Sequence, residues 1–197
     1  MIQIILKGAV STICGYPRRS GYFDGDFTNS LFSKPVGITA VEKRLIESSS
    51  GNNNTNLLLF VSDMDNQVIR KIDLECGKVT TLCGRPNQRG FEEGIGNAAT
   101  LCFPFGIVAD KFRKCLFVCD TNTLRKIDIL SGNVVNLCGD ITTVGSSDGE
   151  GQAAQFSRPT YLALGNNPKY IFISDTDNHA IRKADCLFFD CSTSRVD

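Results

Sequence analysis

The fold is decided by the stretch LFVSDMDNQVIRKID at residues 59–73, which recurs as LFVCDTNTLRKID at 116–128 and as IFISDTDNHAIRKAD at 171–185. Each copy opens on consecutive apolar residues, passes through a polar turn and ends on an Arg-Lys pair. Consecutive apolar residues predict a strand that is covered on both faces, because a strand wet on one face alternates apolar and polar residues.

Two further signatures recur in step with the first. The strands VSTICG, VTTLCG and VVNLCG end at Gly15, Gly84 and Gly139, and each glycine precedes a proline by 20 positions. The prolines open the segments PVGI, PFGI and PTYL at Pro35, Pro104 and Pro159. Length differences fall between these signatures, as a polar insertion at residues 41–56 and a two-residue loss in the second turn. Constant elements with variable connections indicate one unit copied three times.

The pattern predicts an all-β protein, a β-propeller segment of three four-stranded blades. Strand a follows the proline, strand b is the apolar run, strand c carries Arg-Lys and strand d ends at the glycine. The predicted boundaries are a terminal strand at 1–15, then blades at 16–84, 85–139 and 140–197, the last one incomplete. Because antiparallel strands alternate in direction, the d–a and b–c connections share one end of each blade, called here the loop face.

The repeat resembles the NHL repeat, most closely in the third unit, where DGEGQAAQFSRP precedes IFISDTDNHAIRKAD and contains the Asn178-His179 pair. The resemblance covers nearly the whole chain. It implies a propeller, usually of six blades, and a function in binding protein or RNA, with a few enzymes among related propellers. Fold alone does not select among these functions.

Three blades are too few to close a propeller ring. The sequence predicts either a fragment of a longer propeller or a homodimer that completes a six-bladed ring. In both cases residues 9–14 are expected to be a lone strand d that can complete the last blade.

Composition narrows the function. Lys+Arg and Asp+Glu both number 21, so the formal net charge is zero. This balance argues against a protein whose main function is to bind nucleic acid, because that affinity comes from cations that neutralise phosphates. We expect no membrane span and a cytoplasmic protein, or a secreted one if a signal peptide has been lost by truncation. Nine cysteines, an odd number, leave at least one unpaired, and we expect reduced, buried thiols.

Two sets of residues are candidates for binding. The first lies in the loop-face connections and predicts a protein-binding surface: Asp24, Glu93, Asp148, Asp65, Asn66, Asn122, Asp177, Asn178 and His179. The second recurs once per blade and predicts a basic rim for RNA, or a solvated strand paired with Asp73, Asp128 and Asp185: Arg70, Lys71, Arg125, Lys126, Arg182 and Lys183.

Catalysis is not expected. His179 is the single histidine, so a three-histidine zinc site is excluded, and the Asp and Asn clusters lack the spacing of a calcium loop. We interpret those clusters as caps of their own tight turns. The sequence therefore favours a non-catalytic scaffold with no cofactor and no metal. RNA binding is the first alternative, and a metal-dependent hydrolase or lyase is the second.

Overall fold

The structure is a computed structural model that describes residues 2–6, 9–46, 57–165 and 169–185. It is all-β, and its strands form successive antiparallel sheets in chain order. The first blade holds strands a to d in sequence, namely β4 (Pro35–Glu42), β5 (Leu57–Asp63), β6 (Val68–Asp73) and β7 (Lys78–Cys83). The second repeats this order with β9 (Pro104–Asp110), β10 (Cys115–Asp120), β11 (Thr123–Asp128) and β12 (Asn133–Cys138). The predicted blade architecture is confirmed.

Each of these two blades has a fifth short strand that the sequence did not reveal. The d–a connection runs down the outer edge of the blade it enters and adds β3 (Gly25–Asp26) to β7, and β8 (Gly94–Ile95) to β12. In these two blades Gly25 and Gly94, the glycines of the acid-glycine pairs, therefore begin edge strands, whereas Asp148-Gly149 of the third blade is not in a strand.

The third blade contains strands a, b and c in the described residues: β13 (Pro159–Leu164), β14 (Tyr170–Asp175) and β15 (Ala180–Asp185). Its predicted strand d would fall at residues 186–197, outside the described residues. Short 3-10 turns at 64–66 and 176–178 join strands b and c in the first and third blades, whereas the two-residue loss leaves a tight turn at 121–122 in the second.

The expectation of a lone N-terminal strand is wrong. β1 (Ile2–Leu6) pairs antiparallel with β2 (Ala9–Cys14). The pairing places Ile2 opposite Cys14 and shifts register at the next residue, as the pairing of Ile69 with Cys83 does between strands c and d of the first blade. By this register, β1 and β2 correspond to strands c and d of a blade beside the first one. The edge of β2 that faces strand c is therefore already paired with β1.

Blades pack face to face through strand b. Phe60 and Phe117 point toward the following blade and are fully buried, while their counterpart Phe172 in the third blade is 41% exposed. Close approach of the inner strands is possible because of glycine. A Cβ on Gly37 would lie 2.5 Å from the carbonyl oxygen of Phe105, and a Cβ on Gly106 would lie 2.5 Å from that of Thr160.

The first part of the polar insertion is ordered. Strand β4 continues to Glu42, and a short helix α1 (Lys43–Ile46) follows, with Val41 and Ile46 buried in the interface to the second blade. Residues 47–56 lie outside the described residues. No helix in the part of the chain that the structure describes is long and apolar enough to cross a membrane.

Candidate functional site

The d–a and b–c connections meet at one end of the blades, as predicted. In the first blade the backbone N–H of Asp65 donates to the carbonyl of Ser33, and that of Met64 donates to Lys34. The b–c turn also contacts the next d–a connection, because Asn87 donates its backbone N–H to Asn66. The loop face is therefore continuous from one blade to the next.

A buried arginine holds the loop face of the first blade together. The Arg70 side chain is fully buried and donates to Asp63 Oδ2 at 2.8 Å and to Asp24 Oδ1 at 2.7 Å. It also donates to the carbonyl oxygens of Leu31 and Phe23 at 2.8 and 2.9 Å. One guanidinium thus ties strand b to both limbs of the d–a connection, a role that suits its rigid fork of donors.

Asp63 completes this arrangement from strand b. Its Oδ1 accepts the backbone N–H of Ser33 at 2.7 Å, and its Oδ2 accepts the amide of Asn66 at 2.8 Å. The same amide donates to the carbonyl oxygen of Gly21 at 2.9 Å. We call the set of strand-b aspartate, strand-c arginine and d–a acid the arginine cross.

The third blade repeats the arginine cross. Arg182 donates to Asp175 at 2.8 Å and to Asp148 at 2.7 Å, and Asn178 links Asp175 to the carbonyl oxygen of Gly145. The backbone N–H of Ser157 donates to Asp175 at 2.8 Å. Equal contacts in two blades show that the repeat encodes this buried network and not only the strands.

The second blade has a weaker cross. Arg125 lies 3.7 Å from Asp120, beyond hydrogen-bond distance, and its buried Nε has no partner in the described part of the chain. The two-residue loss places Asn122 two residues after Asp120 instead of three, and Asn122 accepts the backbone N–H of Arg158. The Asp120 side chain accepts the backbone N–H groups of Cys102 and Phe103. Desolvation by burial raises the pKa of Asp120 to about 6 and lowers the pKa of Arg125.

The predicted basic rim is wrong for the three arginines. Arg70 and Arg125 are fully buried, and the Arg182 side chain is only 12% exposed. Their partners are the strand-b aspartates rather than Asp73, Asp128 and Asp185. Asp73 and Asp128 instead accept backbone N–H groups in the c–d turns. The lysines differ among themselves, since Lys126 is buried, Lys71 is half-buried and Lys183 is exposed.

The proposed turn caps are also wrong in detail. Asp63 and Asn66 do not cap their own 3-10 turn but bridge it to the d–a connection. His179 is an exposed residue in the left-handed conformation, with φ 55°, at the end of the turn. Gln67 holds the same position with φ 56°, so this histidine is a turn residue.

The acids predicted for binding are divided by the structure. Asp24 is engaged by Arg70 and by the backbone N–H of Thr81, so it is a structural residue. Glu93 and Asp148 are exposed beside strand d and strand c of their blades. Among the turn residues, Asn66 and Asn122 are buried and Asn178 is half-buried, while Asp65 and Asp177 are exposed.

Sequence reasoning missed the side chains that the loop face presents. The turn after each strand d exposes residues that differ between blades. They are Tyr16, Arg18 and Arg19 in the first, Asn87, Gln88 and Arg89 in the second, and Ile141, Thr142 and Val144 in the third. Arg18 and Asn87 occupy equivalent left-handed turn positions, with φ 63° and 59°. A repeat alignment that asked where the copies differ would have found these positions.

Thiols have a packing role. Cys14 and Cys83 occupy one repeat position and are buried, and desolvation raises their pKa values to about 11 and about 12. The seven cysteines of the described residues form no disulfide, and Cys186 and Cys191 lie outside those residues. Within the same residues no group of three His, Cys, Asp or Glu side chains is arranged to hold a metal ion.

Known proteins share this arrangement. NHL repeat-containing protein 2 from Homo sapiens is 29% identical over 135 residues, and that from Gallus gallus is 32% identical over 138 residues, each match covering 64% of this chain. A crystal structure of an auxiliary nutrient binding protein from Bacteroides ovatus superposes with a TM-score of 0.56 at 26% identity, over 64% of this chain and 34% of that one. The chain is thus similar to NHL-repeat β-propeller proteins in both sequence and fold.

The NHL match has a defined extent. It covers 19% of the length of the human and chicken proteins, so the chain corresponds to about a fifth of these relatives. A Bacteroides thetaiotaomicron protein of unknown function has the same NHL-like arrangement, with a TM-score of 0.57 and 25% identity over 65% of this chain and 32% of its own. No family model matches the sequence.

Proposed function

We propose that this NHL propeller segment is a non-catalytic scaffold that binds a protein partner on its loop face. The observation that carries the proposal is a contrast between the buried and the exposed side chains of that face. The buried arginine crosses of the first and third blades hold the connections with the same contacts. The exposed side chains of the same connections differ from blade to blade. A rigid support with variable surface residues is the usual design of binding loops.

The charge of the first two blades favours a partner with acidic groups. Arg18, Arg19 and Arg89 are exposed there, and Tyr16 and Arg19 stack with 5.8 Å between the guanidinium carbon and the ring centre. Tyrosine and arginine are enriched among the residues that contribute most of the binding energy in protein interfaces. We therefore expect the partner to place carboxylates over this part of the face.

Affinity purification with two matched variants tests the proposal. Tyr16→Ala/Arg18→Glu/Arg19→Glu changes the loop face, and Lys111→Glu/Phe112→Ala changes exposed residues of the turn between strands a and b, at the opposite end of the second blade. A partner captured by the wild type and by the second variant, but bound at least ten times more weakly by the first, supports the proposal. A partner lost only with the second variant refutes the placement.

The RNA-binding alternative is weakened, because the three arginines of its predicted surface, Arg70, Arg125 and Arg182, are buried or nearly so. A titration of labelled single-stranded RNA against salt tests it separately. Binding that weakens steeply as salt increases would indicate phosphate contacts and would favour this alternative.

A further inference from the structure

Buried polar atoms without a hydrogen-bond partner are concentrated in the second blade. Among the described residues four such side-chain atoms are found, and three of them belong to this blade, namely Thr121 Oγ1, Arg125 Nε and Asn136 Oδ1. Thr121 is in the shortened b–c turn, and Arg125 is the arginine of the weaker cross. Folded proteins pair nearly all buried polar atoms, either with protein groups or with ordered water. Hydrogen bonding around this turn therefore needs a further group.

In the first and third blades that group is an asparagine amide. Asn66 Nδ2 donates to Asp63 Oδ2 at 2.8 Å and to the carbonyl oxygen of Gly21 at 2.9 Å. Asn178 makes the same two bonds in the third blade, at 2.8 Å to the aspartate and 2.7 Å to the carbonyl oxygen. One nitrogen with two hydrogens thus links strand b to the d–a connection in each of these blades.

The second blade has both acceptors but not the amide. Its strand-b acid is Asp120, and Gly90 occupies the position of Gly21 relative to the proline of strand a. Asn122 of the shortened turn is directed to the next connection, where its Oδ1 accepts the backbone N–H of Arg158. Within the part of the chain that the structure describes, no side chain donates to both Asp120 and the carbonyl of Gly90.

Two differences leave more space around the guanidinium of the second blade. Phe32 and Phe156 lie against the arginines of the first and third crosses, with 4.7 and 5.2 Å between the guanidinium carbon and the ring centre. The equivalent residue of the second blade is Leu101, which is smaller and fully buried. The ion pair of Arg125 with Asp120 is also longer, at 3.7 Å against 2.8 Å in the other two blades.

We propose that the second blade binds a buried water molecule in the place of the asparagine amide. The two hydrogens of the water donate to Asp120 Oδ2 and to the carbonyl oxygen of Gly90, and its oxygen accepts an N–H of Arg125. Buried waters typically make about three hydrogen bonds to polar groups that would otherwise be unpaired. The water completes the second arginine cross and holds the d–a connection of this blade, whatever partner the loop face binds.

A high-resolution crystal structure of the wild-type chain tests the site directly. One electron-density peak is expected within hydrogen-bond distance of both Asp120 Oδ2 and the carbonyl oxygen of Gly90. A structure without this peak overturns the proposal, and so does one in which Arg125 lies directly on Asp120 with the distance of the other two crosses.

Exchange of the turn tests whether the water and the amide occupy one place. Replacing Thr121-Asn122 with Met-Asp-Asn-Gln, the sequence of residues 64–67, restores the asparagine to the second blade. The density peak should disappear, and oxygen-17 relaxation dispersion in solution should detect one fewer long-lived internal water than in the wild type. A water that persists beside the new asparagine overturns the proposal.

Asn66→Ala is the reciprocal variant, and it keeps the test decisive if the exchanged turn does not fold. It removes the amide between Asp63 and Gly21, so one additional long-lived water should be detected in the first blade. Asn97→Ala is the matched control, because Asn97 is exposed, and it should leave the number of internal waters unchanged. An unchanged number in Asn66→Ala would show that these two acceptors do not recruit water, which overturns the proposal.

Discussion

Replacing Arg70 with methionine tests the central structural claim. The change removes a guanidinium that is fully buried and donates to Asp63, Asp24 and two backbone carbonyls. Asp63 is itself fully buried and would be left without its cation. Breaking a buried pair in this way costs about 3–5 kcal/mol. The total stability of a domain is on the order of 5–15 kcal/mol, so this one change should remove a large part of it.

Urea unfolding followed by circular dichroism measures the loss. With a slope of roughly 2–3 kcal/mol per molar urea for a chain of this size, the midpoint should fall by about 1–2 M. Arg44→Met is the matched control, because the Arg44 side chain is 71% exposed and its ion pair with Glu42 is on the surface. Exposed pairs contribute about 0–1 kcal/mol, so the control should change little.

The double variant Arg70→Met/Asp63→Asn completes the test. The second change replaces the Asp63 carboxyl group that Arg70→Met leaves buried without a cation. The double variant should therefore be more stable than Arg70→Met alone. If Arg70→Met costs no more than Arg44→Met, the arginine cross does not hold the loop face and the reasoning is wrong. If the double variant is the less stable of the two, the loss arises from packing and not from the buried charge.

Two further changes are predicted. Gly106→Ala should cost about 1–3 kcal/mol, because the new Cβ would lie 2.5 Å from the carbonyl oxygen of Thr160. Tyr161→Ala, at the same strand position of the third blade, should cost less than about 1 kcal/mol because Tyr161 is 64% exposed, and thermal unfolding compares the two. Asp120 has a pKa of about 6 when folded and 3.8 as its ordinary value, so the folded state holds this proton more tightly. Its contribution to stability should therefore rise as pH falls from about 7 to 4, and Asp120→Asn should reduce that rise in urea titrations at each pH. Equal pH profiles for wild type and Asp120→Asn would contradict the assignment.

The repeat itself was readable from the sequence for a physical reason. Strand b is sandwiched between neighbouring blades, so it must be apolar on both faces, and the run from Leu59 to Val61 shows this directly. The order of strands a to d and the shared end of the d–a and b–c connections follow from the alternating direction of antiparallel strands. These features are local or periodic, and a periodic pattern can be recognised in the amino-acid sequence alone.

The arginine cross was not readable in the same way. Arg70 lies near Asp63 in sequence, but Asp24 is 46 residues away, and only the path of the d–a connection along the outer edge of the blade brings them together. A charged residue in a strand pattern looks like a surface residue, because the sequence does not show the carbonyls that surround it. The burial of Arg70, and with it the loss of the predicted basic rim, was decided by the tertiary structure.

Sequence alone thus determined the repeat, the blade and the fold class, since these rest on apolar periodicity and on glycine and proline at fixed spacing. Tertiary structure decided which charged side chains face the solvent. Arg70 and Arg18 are both arginines, yet one is enclosed by carboxylates and carbonyls and the other is exposed on the loop face. The difference arises from long-range contacts, because the burial of a charge depends on partners that no local pattern specifies.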